Sequence, residues 1–117
     1  MTPTTLTGRS FTPAERTALD EFARAARATL GHELREVRLF GSRARGTGTE
    51  ESDLDLAVVV TSAGRRRRHE VQDLAFDIGL RHGVVLAPLV IEDRVLDELR
   101  ARERRLARDI ERDGIPL

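Results

Sequence analysis

The chain has 117 residues, with 20 arginines balanced by 20 acidic residues, 39 % apolar residues, no lysine and no cysteine. That length and apolar share suit one domain with a modest core, and the missing side chains exclude disulfides, thiolate metal sites, a thiol nucleophile and a Schiff base. With no net charge, no run long enough to span a bilayer and no basic-then-apolar start, the expected setting is cytoplasmic, away from membranes and without a general pull toward nucleic acid.

In chain order, residues 1–11 read as a flexible segment and 12–117 as a single domain. Thr12, Pro13 and Glu15 form an N-cap, a first-turn proline and an early acid. They open a helix whose apolar positions Leu19, Phe22, Ala23, Ala26 and Leu30 recur every three or four residues until Gly31. Val37, Leu39 and Gly41 alternate with Arg38 and Phe40 as a first strand, ending in a glycine-serine turn. Ser42–Arg45 then makes a short helical turn and Gly46–Thr49 a loop.

Leu54–Val60 is a β-branched run of strand length, expected at the centre of the sheet. From Arg65 a helix carries Val71, Leu74, Ala75, Ile78 and Leu80 inward and stops at Gly83. Val84–Ile91 is a third strand, placed at an edge by Pro88, which cannot donate a ladder hydrogen bond. Leu96, Leu99, Leu106 and Ile110 mark a charged C-terminal helix with a bend, ending near Gly114 and Pro116. The order implies an α/β (α+β) fold with a mixed three-stranded sheet in the order 1-2-3, antiparallel between the first two strands and parallel between the last two.

The chemistry concentrates between Leu39 and Val60. Asp53 and Asp55 are two apart, so on a strand both carboxylates project from one face and can share a hard, oxygen-seeking cation such as magnesium. Gly41 lets the backbone turn closely around phosphate, and Ser42 offers a main-chain NH and a hydroxyl. Arg43 and Arg45 bring guanidinium groups beside that turn, with Arg43 the nearer to the serine.

The stretch Leu39-Phe40-Gly41-Ser42-Arg43-Ala44-Arg45-Gly46, followed by Ser52-Asp53-Leu54-Asp55-Leu56, resembles the signature of the minimal nucleotidyltransferases, relatives of polymerase beta and kanamycin nucleotidyltransferase. The resemblance implies that Asp53 and Asp55 are catalytic metal ligands for Mg2+, with Mn2+ as a substitute. It also implies that Gly41, Ser42, Arg43 and Arg45 bind a nucleoside triphosphate, ATP in the first instance. The family commonly adds a third carboxylate early in the strand after the crossover helix, where Val84–Pro88 supplies none. Asp77 is a weak replacement, and Glu92 and Asp93 come too late.

Two functions stay open on this reading. One is transfer of a nucleotidyl group to a hydroxyl on a partner protein, since proteins similar to this one often accompany a HEPN-domain toxin as its antitoxin. The other is a catalytically degenerate antitoxin that acts by occupying its partner. Arg65–Arg68 with His69 reads as a solvated helix start, because four consecutive residues point different ways around a helix and no tyrosine or tryptophan is present for stacking, so nucleic-acid binding ranks last. His32, His69 and His82 have no zinc-site spacing. Surplus apolar surface in so small a chain permits a homo-oligomer.

Overall fold

The computed structural model describes residues 11–47 and 53–117. The segment 1–11 expected to be flexible therefore lies outside the described residues except for Phe11, which is buried in the core, and the expected loop lies outside them beyond Thr47.

Helix α1 (Pro13–Leu30) is capped by Thr12, whose hydroxyl accepts from the Glu15 NH while the Glu15 carboxylate accepts from the Thr12 NH. This reciprocal box satisfies two amide donors that a helix start leaves unpaired. Its buried stripe contains all five apolar positions expected to face inward. A 3-10 turn (Gly31–Glu33) leads to β1 (Leu34–Phe40), then α2 (Gly41–Arg45) and β2 (Leu54–Val60). A second 3-10 turn (Gly64–Arg67) precedes α3 (Arg68–His82), β3 (Leu86–Glu92), α4 (Asp93–Ala101), α5 (Arg105–Glu111) and β4 (Ile115–Pro116).

The sheet order is β3-β2-β1-β4, with β1 antiparallel to β2 and β4, and β2 parallel to β3. β2 is central and nearly continuously buried, as expected for a strand covered on both faces. β3 is an edge, with Pro88 in register with Leu56. The fourth strand adds to the three expected. Its two residues are too short to show a period, and it exists because the tail lies along β1, where the Leu117 NH donates to the Val37 carbonyl at 2.9 Å.

Alternation along β2 divides the core. Leu54, Leu56, Val58 and Val60 pack with the buried stripes of α1 and α3, whereas Ala57 and Val59 meet Ile91, Leu96, Ala107 and Ile110 beneath α4 and α5. The bend expected in the final helix is a full break between α4 and α5. Glu21 on α1 pairs with Arg81 and lies 3.0 Å from His82 Nε2, tying α1 to α3. Leu80, expected inward, is exposed, because two residues beyond Ile78 it falls on the opposite side of the helix. No helix among the described residues is long and apolar enough to cross a membrane.

Candidate active site

β1 ends at Phe40, and antiparallel pairing sets Phe40 opposite Asp55 near the start of β2. Gly41 follows with φ of +80°, a backbone state that side chains other than glycine rarely adopt. A Cβ built on Gly41 would overlap Asp55 Oδ2, so the glycine turn lies directly against this carboxylate. The half-buried Ser42 comes next in α2. Asp55 shares the sheet face of Ala57 and Val59, and Asp53 stands exposed two residues before it.

Burial, and then the like charge of Asp53, raise the Asp55 carboxyl above its ordinary value, while the positive charge of Arg45 pulls the other way. The chain thus brings Gly41, Ser42, Arg45, Asp53 and Asp55 to one end of the sheet. The acid pair carries electrostatic strain that a divalent cation would relieve.

Arg43 goes elsewhere. Expected at the phosphates ahead of Arg45, it is only 5 % exposed, with Nη1 and Nη2 donating to the two Glu15 carboxylate oxygens at 2.7 and 2.8 Å. Its guanidinium also lies 5.4 Å from the centre of the Phe11 ring. The physical reason is the α2 turn, which points residue 43 inward toward the start of α1 and leaves Arg45 exposed beside Asp55. Glu15 is the residue that sequence reasoning missed here. Its place in a threonine-x-x-glutamate cap was visible, but its contact with a side chain 28 residues away was not.

Burial acts to raise the Glu15 pKa, but hydrogen bonds from Arg43 and Thr12 and the charge of Arg43 outweigh it and hold the carboxyl below its ordinary value. A depressed carboxyl contributes stability at neutral pH that is lost as pH falls below about 4.5 and through its folded-state value. Glu15→Ala should therefore cost about 3–5 kcal/mol by leaving the buried Arg43 charge without this carboxylate. It should also flatten the acid side of the stability curve, as read by denaturant unfolding across pH. A loss under about 1 kcal/mol would show that the pair is incidental.

The structure also locates the gap opposite the acid pair. Ala87 is in register with Asp55, and the Leu54 NH donates to the carbonyl of Val85 just before β3, so the residues beside the carboxylates here are alanine and valine. Asp77 is exposed on α3, and Glu92 is in register with Val60 at the opposite end of the sheet. Among the described residues, no third histidine, aspartate or glutamate joins Asp53 and Asp55 in a metal-binding group. Two adjacent carboxylates, one of them half-buried, nonetheless form an all-oxygen donor set suited to Mg2+ or Mn2+ when phosphate oxygens and water complete the shell.

Comparison with known proteins shows the family. The model of the nucleotidyltransferase domain family matches residues 19–114. A Methanocaldococcus jannaschii protein named "putative protein adenylyltransferase" is 40 % identical over 81 residues, which are 67 % of this chain and 55 % of that protein. The chain thus spans about half the length of that relative. A second protein of the same organism and name is 33 % identical over 84 residues, covering 72 % of this chain and 80 % of its own length.

Among solved structures, one described as a putative minimal nucleotidyltransferase shares 28 % identity with a TM-score of 0.46, over 92 % of this chain and 99 % of its own. Another, a putative nucleotidyltransferase from Sulfolobus solfataricus, shares 19 % with a TM-score of 0.44, over 94 % and 89 %. A domain model that runs from within α1 to the last turn before β4, around a glycine-serine turn and an alternate aspartate pair, makes this chain a member of the nucleotidyltransferase domain family.

Proposed function

We propose that the chain binds a nucleoside triphosphate with Mg2+, ATP in the first instance, and transfers its nucleotidyl group to a hydroxyl on a partner protein. The observation that carries this reading is the contact of the Gly41 turn with Asp55, which sets a glycine backbone bend against a charge-strained acid pair. The words "protein adenylyltransferase" in the names of both relatives support ATP and a protein acceptor.

In this mechanism Asp53 and Asp55 hold the cation, which when bound neutralises phosphate charge and lowers the barrier to departure of pyrophosphate. Ser42 donates its NH and hydroxyl to the terminal phosphate. Arg45, already close enough to act on Asp55, balances negative charge at the same mouth. Arg43 and Glu15 keep the turn in place from behind. The acceptor oxygen bonds to the α-phosphorus, the bond to the bridging oxygen breaks, pyrophosphate leaves, and the hydroxyl proton passes to solvent.

On this reading the acceptor is a HEPN-type toxin, the kind of protein that similar proteins often accompany. The test is incubation with labelled triphosphates, Mg2+ or Mn2+ and the product of the neighbouring gene. Label should appear on that product with the wild type and not with Asp53→Ala/Asp55→Ala. Failure of the wild type both to bind nucleotide and to transfer label would end this reading.

One observation favours a second reading, in which the chain neutralises its partner by binding alone: the place facing Asp55 on β3 is Ala87. Neutralisation that survives Asp53→Ala/Asp55→Ala in a folded protein would establish it.

A further inference from the structure

At the end of the sheet away from Asp55, the structure gathers the arginines that sequence spacing disperses. The change from the 3-10 turn Gly64–Arg67 to α3, which follows it directly, lets Arg65, Arg66, Arg68 and His69 line one cleft of about 520 Å3, while Arg67 turns away to Glu33 and Glu70. Arg94, at the start of α4, joins them from the opposite wall. The carboxylate lining this cleft belongs to Glu92, which is buried and shared at long range between Arg65 (3.5 Å) and Arg94 (3.8 Å). Arg66 reaches only the Ala63 carbonyl, at 3.5 Å, and neither it nor Arg68 has an acidic partner among the described residues.

Four guanidinium groups around a single carboxylate, in a chain of zero net charge, make a local positive field. The other arginine-rich cleft, along α4 and α5, differs: it carries Glu103 and Glu111, and Arg100 there is bound to Glu111 and Asp97.

We infer that the cleft between the Gly64–Arg67 turn and the start of α4 is a second anion site that takes a group with several phosphates. Guanidinium forks match phosphate oxygens, and the cleft has no phenylalanine, tyrosine or tryptophan and only the His69 ring to meet a base, so recognition falls mainly on the phosphates. Asp55 and Glu92 lie five registered positions apart along β3, or roughly 17 Å at strand spacing. A triphosphate held at the acid pair therefore does not fill this cleft, and the inference stands independently of the function proposed above. The phosphates belong either to a free polyphosphate chain or to the backbone of a single-stranded RNA.

Binding of inorganic tripolyphosphate and of a short single-stranded RNA to the full chain, by calorimetry with a chelator present to suppress metal-dependent binding, tests this. At least one probe should bind, and more weakly as salt rises. Arg66→Gln/Arg68→Gln should lower its affinity by about tenfold or more, while Arg66→Lys/Arg68→Lys restores part of the loss and Asp55→Asn and Ser42→Ala leave it unchanged. Tripolyphosphate alone would identify a free phosphate chain, and tighter binding of RNA would identify a nucleic-acid backbone. The inference fails if neither probe binds, if binding follows Ser42 rather than the arginines, or if polyglutamate binds as tightly as phosphate.

Discussion

Asp55→Asn is expected to lower nucleotidyl transfer by about 10²–10³-fold or more while leaving the metal-free protein as stable as the wild type, or more so. Both halves follow from the same geometry. The carboxylate is half-buried against Gly41 and next to Asp53, so its charge opposes folding unless a cation compensates. Because the folded protein holds the Asp55 proton more tightly than the unfolded chain, stability without metal falls as pH rises from the ordinary carboxylate value through the raised one.

Asparagine removes that fall and, with it, the charge proposed to hold the metal. Transfer assays together with thermal melts across pH, with and without Mn2+, should show lost turnover, a flatter pH profile and no stabilisation by the ion. An Asp55→Asn protein that retains transfer would remove this residue from the chemistry.

Gly41→Ala should have the other large effect. The position requires φ of +80°, which for alanine costs roughly 1–2 kcal/mol. The added methyl would also occupy the space of Asp55 Oδ2, so the carboxylate must rotate away from the turn. The expected outcome is a modest fall in the melting temperature together with a loss of transfer comparable to that of Asp55→Asn. Ala44→Gly, in the same turn but buried on its inner side, should lower stability without that selective loss. Transfer rates and melting curves for the two variants separate damage to the site from damage to the fold. Equal activity in Gly41→Ala and wild type would show that the turn and the carboxylate act independently.

Much of the architecture was legible because each long element repeats its own period. α1 shows its cap and its three-four spacing, β2 its β-branched run, and β3 its proline at an edge. β4 and the break between α4 and α5 were not, since a two-residue strand and a three-residue interruption leave too little chain for a pattern. Within the candidate site, spacing alone set Gly41 and Ser42 before an aspartate pair, because a strand's alternation puts residues two apart on one face.

The arginines follow a different rule. A guanidinium sits at the end of a long flexible stem, so its destination depends on which acid the fold carries within reach. Arg43 stands nearer the serine in sequence than Arg45, yet α2 sends Arg43 inward to Glu15 and leaves Arg45 beside Asp55. Arg65–Arg68 look dispersed, yet a 3-10 turn brings three of them to one cleft with Arg94. By itself, then, the sequence determined the order of the elements, the turn and the acid pair, which depend on neighbours a few residues away. Only the tertiary structure decided which cations lie beside the acid pair, which brace the core and which gather at the far end, because those choices depend on residues that meet only after the chain has folded.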